Sequence, residues 1–310
     1  MALDPTHLSY PKRRYGMDHD RYDWSMLSER PKIRWPGDKP LALWVNVCLQ
    51  FFPLDQQGKP YKVPGGMTMP YPDLRHYSLR DYGNRVGLFR VLKALDRYNI
   101  TPTFAVNTEL AVRTPYLVAL LKERQHEIIC HGWNMDCLHY NGMTEQDERG
   151  LIQRSLDSLR EMSGQAIDGW LSPARNESER TADLLAEQGI RYLCDWVNDD
   201  MPYPLHTHNK PLWAMPLSTE LEDAFILGNN LHSEASYLDQ VTDSCDFLLQ
   251  EASHQGGRML ALNIHPWLLG QPHRIGYLER LLDYLSSQAI WSASASTILD
   301  TFSAQQPSST

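Results

Sequence analysis

Two histidines each follow an apolar stretch of sequence and precede a tryptophan that could wall a pocket. His131 comes after Glu-Ile-Ile-Cys and before Gly-Trp, and His265 comes after Leu-Ala-Leu-Asn-Ile and before Pro-Trp. Imidazole is the side chain that exchanges protons most readily near neutral pH, so this placement indicates acid–base chemistry. The structural alternative is a histidine that caps a neighbouring backbone carbonyl group.

Other polar side chains also follow apolar stretches, and their recurrence favours one shared site. They include Gln50, Asn107, Ser172, Arg175, Asp195, Asn198, Asp199, Asp200, Glu220, Glu222, Asp223, Asn229, Asn230 and His232. A carboxylate pair such as Asp199-Asp200 could serve acid–base catalysis or could be solvated turn residues. The same two interpretations apply to Glu220 and to Glu222-Asp223.

The elements that must position these groups alternate between strand-like and helix-like segments, which is typical of a parallel sheet wrapped by helices. The predicted strands are Leu41–Cys48, Thr103–Val106, Glu127–Cys130, Gly169–Leu171, Arg191–Cys194, Leu212–Met215, Met259–Ile264 and Ile290–Ser294. The predicted helices are Arg85–Tyr98, Pro115–Arg124, Thr144–Met162, Glu179–Gln188, Tyr237–Ala252 and Ile275–Leu285. Eight strands predict a single α/β barrel, whose reactive groups lie at the carboxyl ends of the strands.

The domain prediction is an extended arm at residues 1–36, a barrel at 37–302 and a frayed tail at 303–310. The segment Phe52–Asp81 is rich in proline, shows no period, and is predicted to be a long loop at the rim of the site. Thr144 with Asp147 predicts a helix start, and Gly164 and Gly189 predict helix ends.

Composition excludes several classes of function. The net charge is −9 and no long basic run occurs, which argues against nucleic-acid or anionic-membrane partners and favours a small-molecule substrate. We expect a cytoplasmic protein, because no signal peptide or membrane span is evident. The five cysteines are expected to be reduced, with Cys48, Cys130 and Cys194 packed in the core. No GxSxG, P-loop or GxGxxG motif occurs.

Several motifs resemble the polysaccharide deacetylase (NodB-homology) superfamily, within it the branch that includes the cofactor-independent allantoinases. The resemblance covers most of residues 37–300 and rests on Trp-Pro-Gly-Asp (35–38), Cys-His-Gly-Trp (130–133), Gly-Trp-Leu-Ser-Pro-Ala-Arg (169–175), Asn-Asp-Asp-Met-Pro-Tyr (198–203) and the strand that ends at His265. It implies a distorted (β/α)7-8 barrel of the NodB type, with hydrolysis of an amide-type bond at its mouth.

The departures from the family pattern concern its metal site. The superfamily places two adjacent carboxylates after the first strand, where this chain has Leu49-Gln50-Phe51, and a second histidine four residues after the first, where it has Met135. Neither Gln50 nor Met135 is a good ligand for a hard or borderline divalent ion. The arginine of the third motif is replaced by Leu171-Ser172-Pro173, with Arg175 nearby. We therefore expect no metal cofactor. The alternative is zinc, with His131, His139 and Asp136 as its ligand candidates.

With these departures, the resemblance implies hydrolysis of a non-peptide carbon–nitrogen bond in an amide, imide or ureide without the usual metal. We expect the catalytic residues to be His131 and His265 for proton transfer, with Asp199, Asp200 or Glu220 activating water. The expected substrate-binding residues are Gln50, Trp133, Asp136, His139, Arg175, Asn198, His232 and Trp267. Two other hypotheses about the function remain. The protein could be a metal-dependent deacetylase or deformylase with relocated ligands, or an inactive barrel that only binds its ligand. A homo-oligomer, dimer or tetramer, is also expected.

Overall fold

The computed structural model describes residues 19–56, 72, 74–208 and 210–306. Its sheet has the strand order β6-β7-β5-β4-β3-β2-β1-β8, and β9 pairs with β1. The strands are β1 Leu41–Leu49, β2 Pro102–Val106, β3 Glu127–Cys130, β4 Gly169–Trp170, β5 Tyr192–Leu193, β6 Tyr203–Leu205, β7 Leu212–Ala214, β8 Arg258–Ile264 and β9 Ile290–Ser292. All pairings are parallel except that of β6 with β7. The predicted α/β barrel is confirmed as a curled half-barrel of the NodB type.

All eight predicted strands are present, and the sequence prediction missed only the short antiparallel strand β6. This strand contains a proline and lies at the edge of the sheet, where proline is tolerated because no ladder hydrogen bond is lost. Its sequence, Tyr-Pro-Leu, is too short to show a period of two.

The helices are α1 Leu74–Tyr82, α2 Leu88–Arg97, α3 Thr108–Arg113, α4 Pro115–Glu123, α5 Glu145–Ser163, α6 Thr181–Glu187, α7 Glu234–Gln255, α8 Pro266–Leu269, α9 Ile275–Ser287 and α10 Ala295–Ser303. A π-helical turn, Gly83–Gly87, joins α1 to α2, and a second one spans Ala224–Asn229. Each predicted helix is confirmed with small shifts of its ends. The predicted start of α5 is also confirmed, since the Thr144 hydroxyl accepts a hydrogen bond from the Asp147 backbone amide at 3.1 Å.

The prediction of a loop from Phe52 to Asp81 is wrong for its last part, because α1 begins at Leu74. This helix has few apolar residues, so it shows no helical period in the sequence. Its packing comes instead from the guanidinium group of Arg80, which lies 4.1 Å from the ring centroid of Phe52 and 5.2 Å from that of Trp267. Tertiary contacts therefore decide the conformation here. Residues 57–71 and 73 of the predicted loop lie outside the described residues.

The two faces of β1 belong to two different cores. Leu41, Leu43, Val45, Val47 and Leu49 pack in the core between the sheet and the helices, as the period of two in a strand requires. The alternate residues pack inside the barrel; they are Ala42, Trp44 and Cys48. Side chains at every second position of β1 therefore face the interior. The next position in this series is Gln50, which follows the strand at the mouth.

The described part of the N-terminal arm, residues 19–36, lies on its own barrel. The buried Trp35 donates its indole N–H to the carbonyl oxygen of Arg258 at 2.6 Å. Arg21 forms an ion pair with Asp183 at 2.8 Å, and Arg30 forms one with Asp199 at 2.6 Å. Residues 1–18 of the predicted arm and 307–310 of the predicted tail lie outside the described residues. Within the described ranges, no helix is both long enough and apolar enough to cross a membrane.

Candidate active site

His131 and Gln50 meet at the mouth of the barrel, where β3 and β1 end. The Nδ1 atom of His131 donates to the carbonyl oxygen of Leu171 at 2.8 Å, which leaves the lone pair on Nε2. The side-chain amide nitrogen of Gln50 lies 3.2 Å from this Nε2 and donates to it. The hydrogen bonds of the two ring nitrogens thus fix the orientation of the imidazole, and Nε2 faces an amide.

Asparagines hold these two residues in place. Asn107, which follows β2, accepts a hydrogen bond from the Phe51 backbone amide at 2.8 Å and donates to the carbonyl oxygen of His131. Asn84, in the first π-helical turn, donates to the carbonyl oxygen of Gln50 at 2.8 Å. These hydrogen bonds explain why an asparagine directly follows β2.

His265 is bound to a buried carboxylate from a distant part of the chain. Its Nδ1 atom lies 2.6 Å from Asp223 Oδ1, and its backbone amide donates to Asp223 Oδ2 at 2.8 Å. Asp223 has no solvent exposure and stands directly before the second π-helical turn. The carboxylate therefore fixes both the ring orientation and the tautomer, leaving Nε2 to face the interior of the site.

This pairing controls the charge of the imidazole. Burial alone would lower the pKa of His265, but the neighbouring carboxylate of Asp223, together with the Cys48 thiol, outweighs it and raises that pKa well above its ordinary value. Burial raises the pKa of Asp223, while His265 opposes that rise. The pair favours an imidazolium at neutral pH, which is a proton donor.

A close helix contact fixes the segment after His265. A Cβ atom on Gly87 would lie 2.1 Å from the carbonyl oxygen of Pro266, and one on Gly83 would lie 2.6 Å from the backbone nitrogen of Trp267. Only glycine lets the π-helical turn approach α8 this closely. The turn that holds Gln50 thereby also holds the segment after His265.

Glu222 is the carboxylate nearest to the free nitrogen of His265. Its Oε1 atom lies 3.6 Å from His265 Nε2 and accepts a hydrogen bond from Asn263 at 3.0 Å. Its Oε2 atom pairs with Arg175 at 3.1 Å. Arg175 also donates to the carbonyl oxygen of Leu217 at 2.6 Å. Because 15% of its side chain is exposed, Glu222 can also meet a water molecule or a substrate.

Cys48 is the last interior-facing residue of β1 before Gln50. Its thiol donates to Asn263 Oδ1 at 3.1 Å and accepts from the side-chain amide of Asn46 at 3.5 Å. Burial alone would raise the pKa of this thiol, but the two histidines of the site lower it to about 7. The expected burial of Cys48 is confirmed, yet its partners are polar.

The carboxylates expected to activate water lie elsewhere. Asp199 forms two hydrogen bonds with Arg30, at 2.7 and 2.6 Å, and Asp200 lies 3.4 Å from Arg258. Arg258 is the first residue of β8, whereas His265 follows its last, so Asp200 lies toward the opposite end of the barrel. Glu220 lines a separate cavity of about 590 Å³ together with these two aspartates. The structure does not place them with His131 and His265.

The remaining substrate-binding candidates have contacts of their own, and those of Trp133, Asn198 and His232 are with residues outside the cluster. Trp133 lies under the guanidinium group of Arg154 at 3.4 Å, and Asn198 accepts a hydrogen bond from Tyr203 at 2.5 Å. His232 is exposed beside Gln240. Asp136 follows Asn134, whose side chain accepts from its backbone amide at 2.8 Å. Trp267 is close to the cluster, with its ring centroid 5.9 Å from that of His265.

His139 belongs to a buried polar network below the mouth. Its Nδ1 atom lies 3.4 Å from Glu148 Oε1, and both side chains are fully buried. Glu148 also accepts hydrogen bonds from Ser178 at 2.6 Å and from Thr181 at 2.5 Å. This network joins α5 to the start of α6, so its role is structural.

We expect Glu148→Gln to reduce the free energy of unfolding at pH 7 by about 3 kcal/mol. Burial alone would raise the pKa of Glu148, but His139, Ser178 and Thr181 lower it from 4.5 to about 2. A lowered pKa stabilises the fold above the unfolded value of 4.5, and this stability is lost as the pH falls through 4.5 toward 2.

Urea unfolding at several pH values measures this effect, with the exposed Glu161→Gln on the same helix as the control. The difference between wild type and Glu148→Gln should shrink as the pH falls. A difference that is constant with pH would rule out the charge of Glu148 as its source.

The mouth does not fit the superfamily's metal site. Over the described ranges, no three His, Cys, Asp or Glu side chains are arranged to hold a metal ion. The free nitrogen of His131 faces the Gln50 amide, and His139 lies against Glu148. The donors that zinc prefers are thus not gathered at this point.

The sequence indicated Glu222 and Asp223 as possible acid–base residues without assigning them a role, and it did not indicate Asn263 or Cys48 for the site. The period of two along β1 and β8 was a usable signal for Cys48 and Asn263, which precede Gln50 and His265 by two positions. No local signal distinguishes Glu222 and Asp223 from Glu220.

Comparison with known proteins places this architecture among deacetylase-like barrels. Residues 77–193 match the family model described as polysaccharide deacetylase. A Schizosaccharomyces pombe protein classed as a polysaccharide deacetylase is 22% identical over 302 residues, covering 88% of this chain and 93% of that protein.

Two solved structures are similar over nearly the whole chain. A probable polysaccharide deacetylase from Pseudomonas aeruginosa PAO1 is 27% identical with a TM-score of 0.79, and PuuE allantoinase is 24% identical with a TM-score of 0.82. Each comparison covers 90% of this chain and 96% of the other. The similarity to PuuE allantoinase shows that the two proteins share a fold.

Proposed function

The chain carries a polysaccharide deacetylase (NodB-type) domain, and on that premise we propose that it hydrolyses a non-peptide carbon–nitrogen bond in a small amide, imide or ureide. The observation that carries this proposal is the buried Asp223–His265 pair beside Glu222. An amide nitrogen is a poor leaving group until it receives a proton, and this pair is arranged to supply one.

His265 is the general acid in this proposal. Its Nε2 atom carries the proton, because Nδ1 is held by Asp223 and the pKa of the ring is raised. As the tetrahedral intermediate collapses, the carbon–nitrogen bond breaks and the proton passes from Nε2 to the departing nitrogen. Asp223 then stabilises the ring orientation needed for the next turnover.

Hydrolysis also needs an activated water, and Glu222 is the carboxylate placed to accept its proton. Arg175 and Asn263 hold its two oxygens, and His265 Nε2 lies 3.6 Å away. Glu222 thus takes the role that the sequence assigned to Asp199, Asp200 or Glu220.

Uncharged donors at the mouth suit the carbonyl groups of an amide or ureide. The indole N–H of Trp267 is buried and finds no acceptor in the part of the chain that the structure describes. The Gln50 amide donates to His131 and can turn toward a ligand. Unpaired buried donors are costly, so a substrate oxygen that accepts from Trp267 would gain affinity.

A substrate panel of cyclic imides, hydantoins, ureides and N-acyl sugars tests this proposal. We expect turnover of at least one imide, hydantoin or ureide. Tight binding without turnover across the panel would favour an inactive binding barrel. Turnover confined to N-acyl sugars would favour a deacetylase.

A further inference from the structure

Two asparagines inside the barrel form a chain of hydrogen bonds that ends on Glu222. The side-chain amide of Asn46, on β1, donates to Asn263 Oδ1 at 2.6 Å. The side-chain amide of Asn263, on β8, donates in turn to Glu222 Oε1 at 3.0 Å. The two asparagines are directly paired in the sheet, and neither residue is more than 2% exposed. The chain of hydrogen bonds therefore runs from the first strand through β8 to the proposed base.

The carboxylate at one end fixes the direction of every donor in this chain. An ionised carboxylate can only accept, so Glu222 requires the N–H group of Asn263, whose oxygen then faces Asn46. The Cys48 thiol adds a second donor to the same oxygen at 3.1 Å. If the Asn263 amide were turned over, its oxygen would lie against the carboxylate and its nitrogen against the Asn46 nitrogen. Asn46 therefore selects the orientation of Asn263.

We propose that Asn263 and Asn46 are positioning residues that hold Glu222 Oε1 in place to accept a proton from the hydrolytic water. Asn263 acts on Glu222 directly, and Asn46 acts through Asn263. The inference rests on the proposed hydrolase function and specifies how its base is held.

The topology of the sheet gives the Asn263 contact its importance. Glu222 belongs to the segment after β7, whereas His265 follows β8, and these two strands are not paired with each other in the described sheet. Backbone hydrogen bonds between strands therefore do not fix the position of Glu222 relative to His265. Arg175 holds the other carboxylate oxygen, Oε2, from the segment after β4. The hydrogen bond from Asn263 is what ties Oε1 to the strand that carries His265.

Asn46 is also an unfavourable residue for packing alone. The other interior side chains of β1 that precede it are the apolar Ala42 and Trp44. Asn46 has no solvent exposure, and its Oδ1 atom finds no donor within the described part of the chain. A buried carbonyl oxygen without a donor destabilises a fold, whereas an apolar side chain of similar shape would not. This burial favours a role for Asn46 in the donor that it supplies to Asn263.

Steady-state kinetics on a panel compound that the wild type turns over tests the proposal. Asn263→Leu and the isosteric Asn263→Asp remove the donor to Glu222, and each should lower kcat about a hundredfold with KM changed less than about threefold. Asn46→Leu should lower kcat about tenfold. Asn141→Asp, which changes an exposed asparagine outside the site, should leave both constants unchanged.

Coupling between variants separates positioning from packing. Once Glu222→Gln has removed the base, Asn263→Leu should lower kcat by no more than about a further twofold, because it acts only through Glu222. Asn46→Leu should keep its unfolding temperature within about 3 °C of the wild type, since it also removes the unpaired carbonyl oxygen. If Asn46→Leu does not fold, the isosteric Asn46→Asp replaces it in the kinetics, because its carboxylate would turn the Asn263 oxygen toward Glu222.

Two kinetic results would overturn the positioning role and leave the hydrolase. One is an equal loss of kcat from Asn263→Leu in the wild-type and Glu222→Gln backgrounds. The other is a kcat for the folded Asn46 variant within about twofold of the wild type.

A second measurement does not depend on turnover. The side-chain amide of Asn263 is identified in ¹H–¹⁵N spectra as the pair of signals lost in Asn263→Leu, and Glu222→Gln and Asn46→Asp should each shift it. Signals that neither variant moves would overturn the chain of hydrogen bonds. If the signals move as expected but the wild type turns over no panel compound, the hydrolase is overturned and the chain of hydrogen bonds stands.

Discussion

Replacement of His265 by glutamine is expected to lower kcat by about a thousandfold, with little change in KM. Glutamine can still donate a hydrogen bond but cannot deliver a proton to the leaving nitrogen. Steady-state kinetics on a turned-over imide, hydantoin or ureide measures the effect. The exposed His254→Gln is the matched control and should behave as wild type.

The pH dependence of kcat independently checks the prediction that His265 is the general acid. Because Asp223 raises the pKa of His265 well above its ordinary value, the imidazolium persists through neutral pH. The acid function should be lost only as the pH rises through that raised pKa, which places an alkaline limb on kcat. A profile whose alkaline limb remains in His265→Gln would show that another group is the acid.

Replacement of Glu222 by glutamine is expected to lower kcat by about a hundredfold or more. The variant keeps the hydrogen bond with Asn263 but can no longer accept a proton from water. The ion pair with Arg175 is also lost, so thermal unfolding must be measured beside the kinetics. The exposed Glu123→Gln serves as the control.

Replacement of the carboxylates that the sequence suggested as the base, Glu220 and Asp199, should affect kcat less than replacement of Glu222. Glu220→Gln and Asp199→Asn are expected to change kcat much less, since Glu220 lines another cavity and Asp199 is paired with Arg30. If either causes the larger loss with an intact fold, the assignment of Glu222 as the base is wrong.

Much of the fold follows from patterns that the sequence carries locally. The strands that directly precede His131 and His265 are largely apolar, and parallel strands buried on both faces need such runs. Because the carboxyl ends of parallel strands share one rim, both histidines could be expected at the mouth. Helix α1 could not be predicted, because the cation–π contacts of Arg80 with Phe52 and Trp267 link segments far apart in the chain.

The site itself depends on pairings that no local pattern encodes. Glu222 and Asp223 reach His265 through the turn that follows them, whereas Glu220, two residues earlier, lines a different cavity. Arg258 lies near Asp200 at the far end of β8. All of these carboxylates carry the same charge and follow apolar stretches of the sequence, so only their partners in the folded chain distinguish them.

The central claim is that side chains alone carry out the hydrolysis. It is tested most directly by measuring the metal content of the purified protein together with turnover before and after chelation. We expect metal well below one ion per chain and turnover unchanged by the chelator. Stoichiometric zinc that is removed together with activity, and that restores activity when returned, would contradict the claim.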